Sequence, residues 1–192
     1  MLNFLKIFLF SSVIQLILLG LSKLNISFYA ILGVALLIYI CFTLYIYQYI
    51  KQIKPSRLNF STYIYIFLIA ILFVGIQGVG IYITGQYSND DFLSSTKVFG
   101  IFLPYVVLFG PVSEELMFRF YLPSIFKHKL IGITFSSVIF SIIHSPSNII
   151  MFFYYVLFSL ALFFVLEKTK SIRSNILLHS VYNMLIVITS AF

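Results

Sequence analysis

The chain has 192 residues, 61% of them hydrophobic and only 9% charged, with 23 Phe and 14 Tyr and a mean hydropathy of +1.10; this balance excludes a soluble globular domain and points to a membrane protein. A net charge of +7 would suit a nucleic-acid partner if it formed one stripe, but the basic residues are scattered through short loops, so no nucleic-acid role is expected. The single Cys41 excludes an internal disulfide framework.

Apolar runs long enough to cross a bilayer recur along the whole chain. They fall at 4–21, 27–50, 62–84, 98–125, 131–146, 149–166 and 175–191. The expected fold is an all-α polytopic integral membrane protein of about seven transmembrane helices, forming one domain over 1–192. Helices are expected because lipid offers the backbone no hydrogen-bond partner and the short alternation of barrel strands is absent. In span three, Gly75, Gly78 and Gly80 predict a close helix crossing. In span five, Ser145 before Pro146 predicts the helix end.

Lysine and arginine set the expected orientation. Lys51, Lys54 and Arg57 follow span two, Lys127 and Lys129 follow span four, and Lys168, Lys170 and Arg173 follow span six. The other side holds Lys23, Asp90, Asp91 and Lys97. The positive-inside rule then predicts a multi-pass cell-membrane protein with its N-terminus cytoplasmic and its C-terminus outside.

Against this apolar background the run PVSEELMFR, 111–119, carries two of only five acidic residues. A charge within a span costs about 2.5–3.5 kcal/mol on insertion scales. Glu115 and Arg119 are four apart on one helix face, acid before base, and can pair. Glu114 projects about 100° away and has Met117 and Phe118 as its helical neighbours, which leaves its carboxylate available for chemistry. His144 and His179 sit in two other spans, whereas His128 lies between two lysines in a loop.

At about 1.5 Å per residue, Glu114 lies roughly 20 Å from Lys127 and His144 about 22 Å from Lys129, so these two can meet. His179 is only about 9 Å from Arg173, about one turn too shallow unless its helix tilts or the 167–173 loop dips inward. Asn183 lies one turn further on the same face.

A partly dehydrated carboxylate is a good general base. The expected chemistry is water activation by Glu114 with His144, attack on a peptide carbonyl, and donation to the oxyanion by His179 and Asn183. No HExxH zinc motif is present, although Glu and two His offer ligands that a metal could use; no metal and no cofactor is expected. Asp90 and Asp91 are in a loop, which argues against a paired aspartyl mechanism. Ser113 lacks the GxSxG setting of a serine nucleophile.

EELMFR (114–119), FSIIH (140–144) and HSVYN (179–183) together closely resemble the EExxxR, FxxxH and HxxxN motifs of the CPBP family, which contains type II CAAX prenyl endopeptidases and Abi or bacteriocin-immunity-like proteins. The resemblance covers Phe109 to about Met184 and implies a family-like catalytic core at about 98–191. It implies an intramembrane glutamic endopeptidase with Glu114, His144, His179 and Asn183 as catalytic residues, supported by Glu115, Arg119 and Phe140. The family's usual Gly after the motif Arg is Phe120 here. The expected partners are membrane lipid and a hydrophobic or lipid-anchored peptide or protein. The alternatives are an inactive peptide-binding immunity protein and a small transporter.

Overall fold

In the computed structural model, which describes residues 1–24, 27–51, 53, 58–85 and 96–190, with the side chains of 96–99 outside the description, every regular element is helical. α1 (Leu2–Ser22), α2 (Phe28–Ile50) and α3 (Phe60–Thr84) are regular. α4 occupies 96–125 and changes pitch. Thr96–Pro104 is α-helical, Tyr105–Phe109 widens to a π-helix, Gly110–Glu115 returns to α, Leu116–Tyr121 widens again, and Pro123–Ile125 closes as a 3₁₀ turn. α5 (Lys129–Ile143), α6 (Ile149–Thr169) and α7 (Ile172–Ser190) follow.

Five stretches are long and apolar enough to cross a membrane: α1, α2, α3, Gly100–Ile125 and α6. The protein is therefore a multi-pass membrane protein. The expected count of about seven spans is met by seven helices among the described residues, but two of them are weaker candidates. α5 has 15 residues, about 22 Å against a hydrocarbon core of about 30 Å. α7 has 19 residues but is diluted by Asn175, His179 and Asn183. Both are helices that carry the polar motifs.

Helix ends follow local chemistry. The Asn59 and Asn148 side chains accept from the N–H groups of Thr62 and Met151, each at 2.9 Å, and cap α3 and α6. Gly85 ends α3 at φ +64°, a conformation open to glycine without a Cβ penalty. Ser145, held before Pro146, takes φ +48° and ends α5 at His144, as the sequence predicts.

α1 and α2 lie against α4, while α3 packs against α6 and α7. The Ser11 hydroxyl bonds the Tyr105 hydroxyl, and the Tyr39 hydroxyl donates to the Ile101 carbonyl. One end of the bundle gathers basic residues: Lys129 and Lys170 meet Glu167 at 2.7 and 3.1 Å, and Lys168 lies over the Tyr65 ring at 4.6 Å. The starts of α3 and α5 and the end of α6 therefore share one face. Lys54, Arg57, Asp90, Asp91 and the Lys97 side chain lie outside the described residues.

Two glycine expectations need correction. A Cβ added at Gly75 or Gly78 would meet nothing within 4 Å, so neither sits at a close crossing; at Gly80 it would come 2.6 Å from the Met151 side chain of α6. A second close contact involves Gly132 of α5, where a Cβ would lie 2.7 Å from the Pro123 carbonyl. Phe120 is 43% exposed, so its bulk points away from the helix contacts.

Candidate active site

Glu115 is fully buried and has three partners. Arg119 Nε lies 3.2 Å from Oε2, His179 Nδ1 lies 3.0 Å from Oε1, and Asn175 Nδ2 donates to Oε2 at 3.3 Å. Asn175 also donates to the Leu162 carbonyl at 2.8 Å, tying α7 to α6. The expected Glu115–Arg119 pair is thus present, extended into an Arg119–Glu115–His179 chain across α4 and α7. The Arg119 guanidinium is sandwiched between the Phe140 and Phe163 rings at 4.7 and 4.9 Å, where ring faces attract a cation that has left water.

Glu114 turns away from that cluster. Its Oε2 faces His144 Nε2 at 3.6 Å and His179 Nε2 at 3.8 Å. These separations are too long for direct hydrogen bonds and suit one oxygen atom held between the three groups. The Phe140 carbonyl lies 2.7 Å from His144 Nδ1. A carbonyl only accepts, so Nδ1 carries the hydrogen and the Nε2 lone pair of the neutral ring points toward Glu114. Rings of Phe140 and Tyr155 flank the imidazole, with centroids 4.3 and 4.8 Å away.

His179 reaches Glu114 despite the depth argument from the sequence. Ser171 and, in the first turn of α7, Ile172, Ser174 and Asn175 are all buried, so α7 starts already packed within the bundle, in keeping with an inward dip of the loop before it. The π segment Leu116–Tyr121, which lies between Glu114 and Lys127, acts in the same direction, because its wider turns advance less per residue than an α count implies.

Asn183 is held by a gap in α4. In the first π segment the Gly110 N–H bonds the Tyr105 carbonyl, five residues back. The next bond of that series would run from residue 111 to Val106, but Pro111 has no N–H. Asn183 Nδ2 donates to the Val106 carbonyl instead, at 2.7 Å. This uses one of its two amide hydrogens and leaves the other.

Glu114, His144 and Asn183 line a cavity of ≈ 590 Å³ together with residues of α1 and the first half of α4. Gly110 also lines it, and a Cβ there would stand 3.0 Å from the Tyr105 carbonyl and 3.7 Å from Glu114 Oε1, so the bare backbone keeps the carboxylate reachable. Ser113 is fully buried, with its hydroxyl donating to carbonyls of its own helix, and is no accessible nucleophile. One oxygen of Glu114 and one nitrogen from each of His144 and His179 lie within 4.8 Å of one another, a donor set that could also hold a metal ion. The structure brings together every residue singled out from the sequence: Glu114, Glu115, Arg119, Phe140, His144, His179 and Asn183. The sequence reading missed Asn175, although a buried amide one turn before His179 on the same face was visible, and it missed the α1 contribution, which no motif signals.

Fold and site define a class: a polytopic helical membrane protein with a Glu–Glu–Arg cluster on one helix facing two histidines and an asparagine on two others. Residues 95–185 match the family described as Type II CAAX prenyl endopeptidase Rce1-like. The resemblance drawn from the three motifs is borne out by this match, which makes residues 95–185 similar to that family. It is also 30% identical over 99 residues to UPF0177 protein YbdI of Lactococcus lactis subsp. lactis (strain IL1403), an alignment covering 52% of each chain. The chain thus spans about half the length of that curated relative. No solved structure matches.

Proposed function

We propose that the protein is an intramembrane endopeptidase that hydrolyses a peptide bond in a membrane-associated peptide or protein by Glu114-activated water. What carries this reading is the convergence of the Glu114 carboxylate with two imidazole Nε2 atoms, at 3.6 and 3.8 Å, where Glu114 and His144 line a cavity and His179 is buried behind them. A water held between Glu114 and His144 gives its proton to the carboxylate while its oxygen bonds the carbonyl carbon. His144, with its lone pair toward the same point, orients that water. The spare N–H of Asn183 stabilises the oxyanion, and His179, whose Nδ1–H is held by Glu115, adds an Nε2–H to it as the doubly protonated ring. Collapse of the intermediate breaks the C–N bond, and the proton on Glu114 passes to the leaving nitrogen.

Glu115, Arg119 and Phe140 support the site: the first holds His179 by Nδ1, and the other two hold the buried charge in place. The catalytic core is the stretch 98–191, within one integral domain. The basic face is cytoplasmic, with the N-terminus inside.

The test is cleavage of a peptide library by purified protein in nanodiscs, comparing wild type with Glu114→Gln. Wild type is expected to cleave and the variant to lose turnover by at least about a hundredfold, the lower range for general-base catalysis. Equal cleavage by both would sink the role of Glu114. A biological effect that survives loss of Glu114 would favour an idle peptide binder.

A further inference from the structure

One wall of the cavity belongs to α1, which lies outside the 95–185 match. Ser12, Gln15, Leu16 and Leu19 all line it, the i, i+3, i+4, i+7 pattern of one helical face. The register of this face against the site is pinned. Ser11, next to Ser12, bonds the Tyr105 hydroxyl and lies 3.2 Å from the Oγ of Ser113, the residue before Glu114. Gln15 stands one turn beyond Ser11 and shares the cavity wall with Tyr105. Gln15 is nevertheless exposed, within a span whose outer face is apolar.

A side-chain amide has four hydrogen-bonding positions, and presenting them to hydrocarbon is unfavourable. Presented to a peptide, its C=O and NH₂ match the main-chain N–H and C=O of one residue. Asn183 stands on the same cavity from α7. An extended strand offers main-chain donors and acceptors to both of its sides, so amides from two helices complement it. A bare isoprenoid or acyl chain offers them nothing.

We infer that Gln15 binds the main chain of an extended peptide laid past Glu114, and that Leu16, Leu19 and Phe102 receive an apolar side chain next to the scissile bond. This assignment rests on the endopeptidase reading and names its substrate class: an apolar peptide read through its backbone, with specificity written partly by α1.

The probe is a fluorescent decapeptide with leucine on both sides of its central bond and a benzophenone group beside it. Photo-crosslinking to full-length Glu114→Gln protein in nanodiscs reads occupancy without requiring turnover. Label is expected on α1, and adding Gln15→Leu is expected to weaken binding about tenfold, the loss of two main-chain hydrogen bonds each worth a few-fold. In otherwise wild-type protein, Gln15→Leu is expected to raise KM by about tenfold with kcat within about twofold, while Val13→Leu, on the exposed face of α1, changes neither.

Label confined to other helices, unchanged affinity in Gln15→Leu, or capture of a farnesylated cysteine but not of the decapeptide would overturn the inference. Cleavage by Glu114→Gln protein would sink the proposed chemistry instead, and the crosslink would still report on Gln15.

Discussion

Glu115→Gln keeps the shape of the side chain and removes its charge. The carboxylate and the Arg119 guanidinium both have 0% side-chain exposure and meet at 3.2 Å. Removing one member of such a buried pair leaves the other charge uncompensated, at a cost of about 3–5 kcal/mol. His179 Nδ1 loses a charged acceptor at 3.0 Å, a bond worth about 1.5–3 kcal/mol. The two losses share one carboxylate and do not add, so a destabilisation of about 4 kcal/mol is expected. At about 2–4 °C per kcal/mol for a chain of this size, Tm falls by about 8–16 °C. Glu114→Gln is the control: its side chain is 20% exposed and no closer than 3.6 Å to an imidazole, so its stability stays within about 1 kcal/mol of wild type, a Tm change of no more than about 4 °C. Thermal unfolding followed by circular dichroism in one detergent checks both. Adding Arg119→Met to Glu115→Gln should recover part of the loss, because no unpaired charge then remains. A Glu115→Gln protein that melts with wild type would refute the view that this carboxylate is the buried counter-charge.

Gly132→Ala is expected to cost about 1–3 kcal/mol, since the new methyl would press on the Pro123 carbonyl; an unchanged melting curve would mean that the 3₁₀ turn yields. Cleavage is expected to survive dialysis against a chelator, because the proposed water is activated by Glu114 and His144. Loss of activity restored by added zinc would reassign Glu114, His144 and His179, whose donor atoms converge within 4.8 Å, as metal ligands.

The helix positions were legible because a bilayer imposes one simple rule: an apolar run of sufficient length becomes a helix. Expected spans such as 27–50 and 62–84 differ from α2 and α3 by no more than two residues at either end. The site residues were legible for the opposite reason, since Glu114, His144 and His179 are expensive where they stand and so advertise a function. Glu115 was only half read. Its pairing with Arg119 is local, but its hold on His179 and Asn175 depends on how α7 lies against α4. Gln15 was overlooked because one amide in a long apolar run carries no motif. Its meaning arises only once Ser11 fixes α1 beside Tyr105. The shortness of the fifth span was visible in the sequence, whereas the polarity of α7 was not weighed in the seven-span count; both follow from loading two helices with the site.

The proline that opens PVSEELMFR has a consequence outside its own helix. By withholding a single hydrogen from the Val106 carbonyl, Pro111 leaves an acceptor that only a neighbouring helix can fill, and Asn183 fills it. The rotamer of one side chain is thereby dictated by the covalent chemistry of another that it does not touch. An ordinary residue at 111 would let α4 close its own ladder and set the amide free to turn. Positions 111 and 183 therefore behave as one unit, and any redesign of the cavity has to move them together.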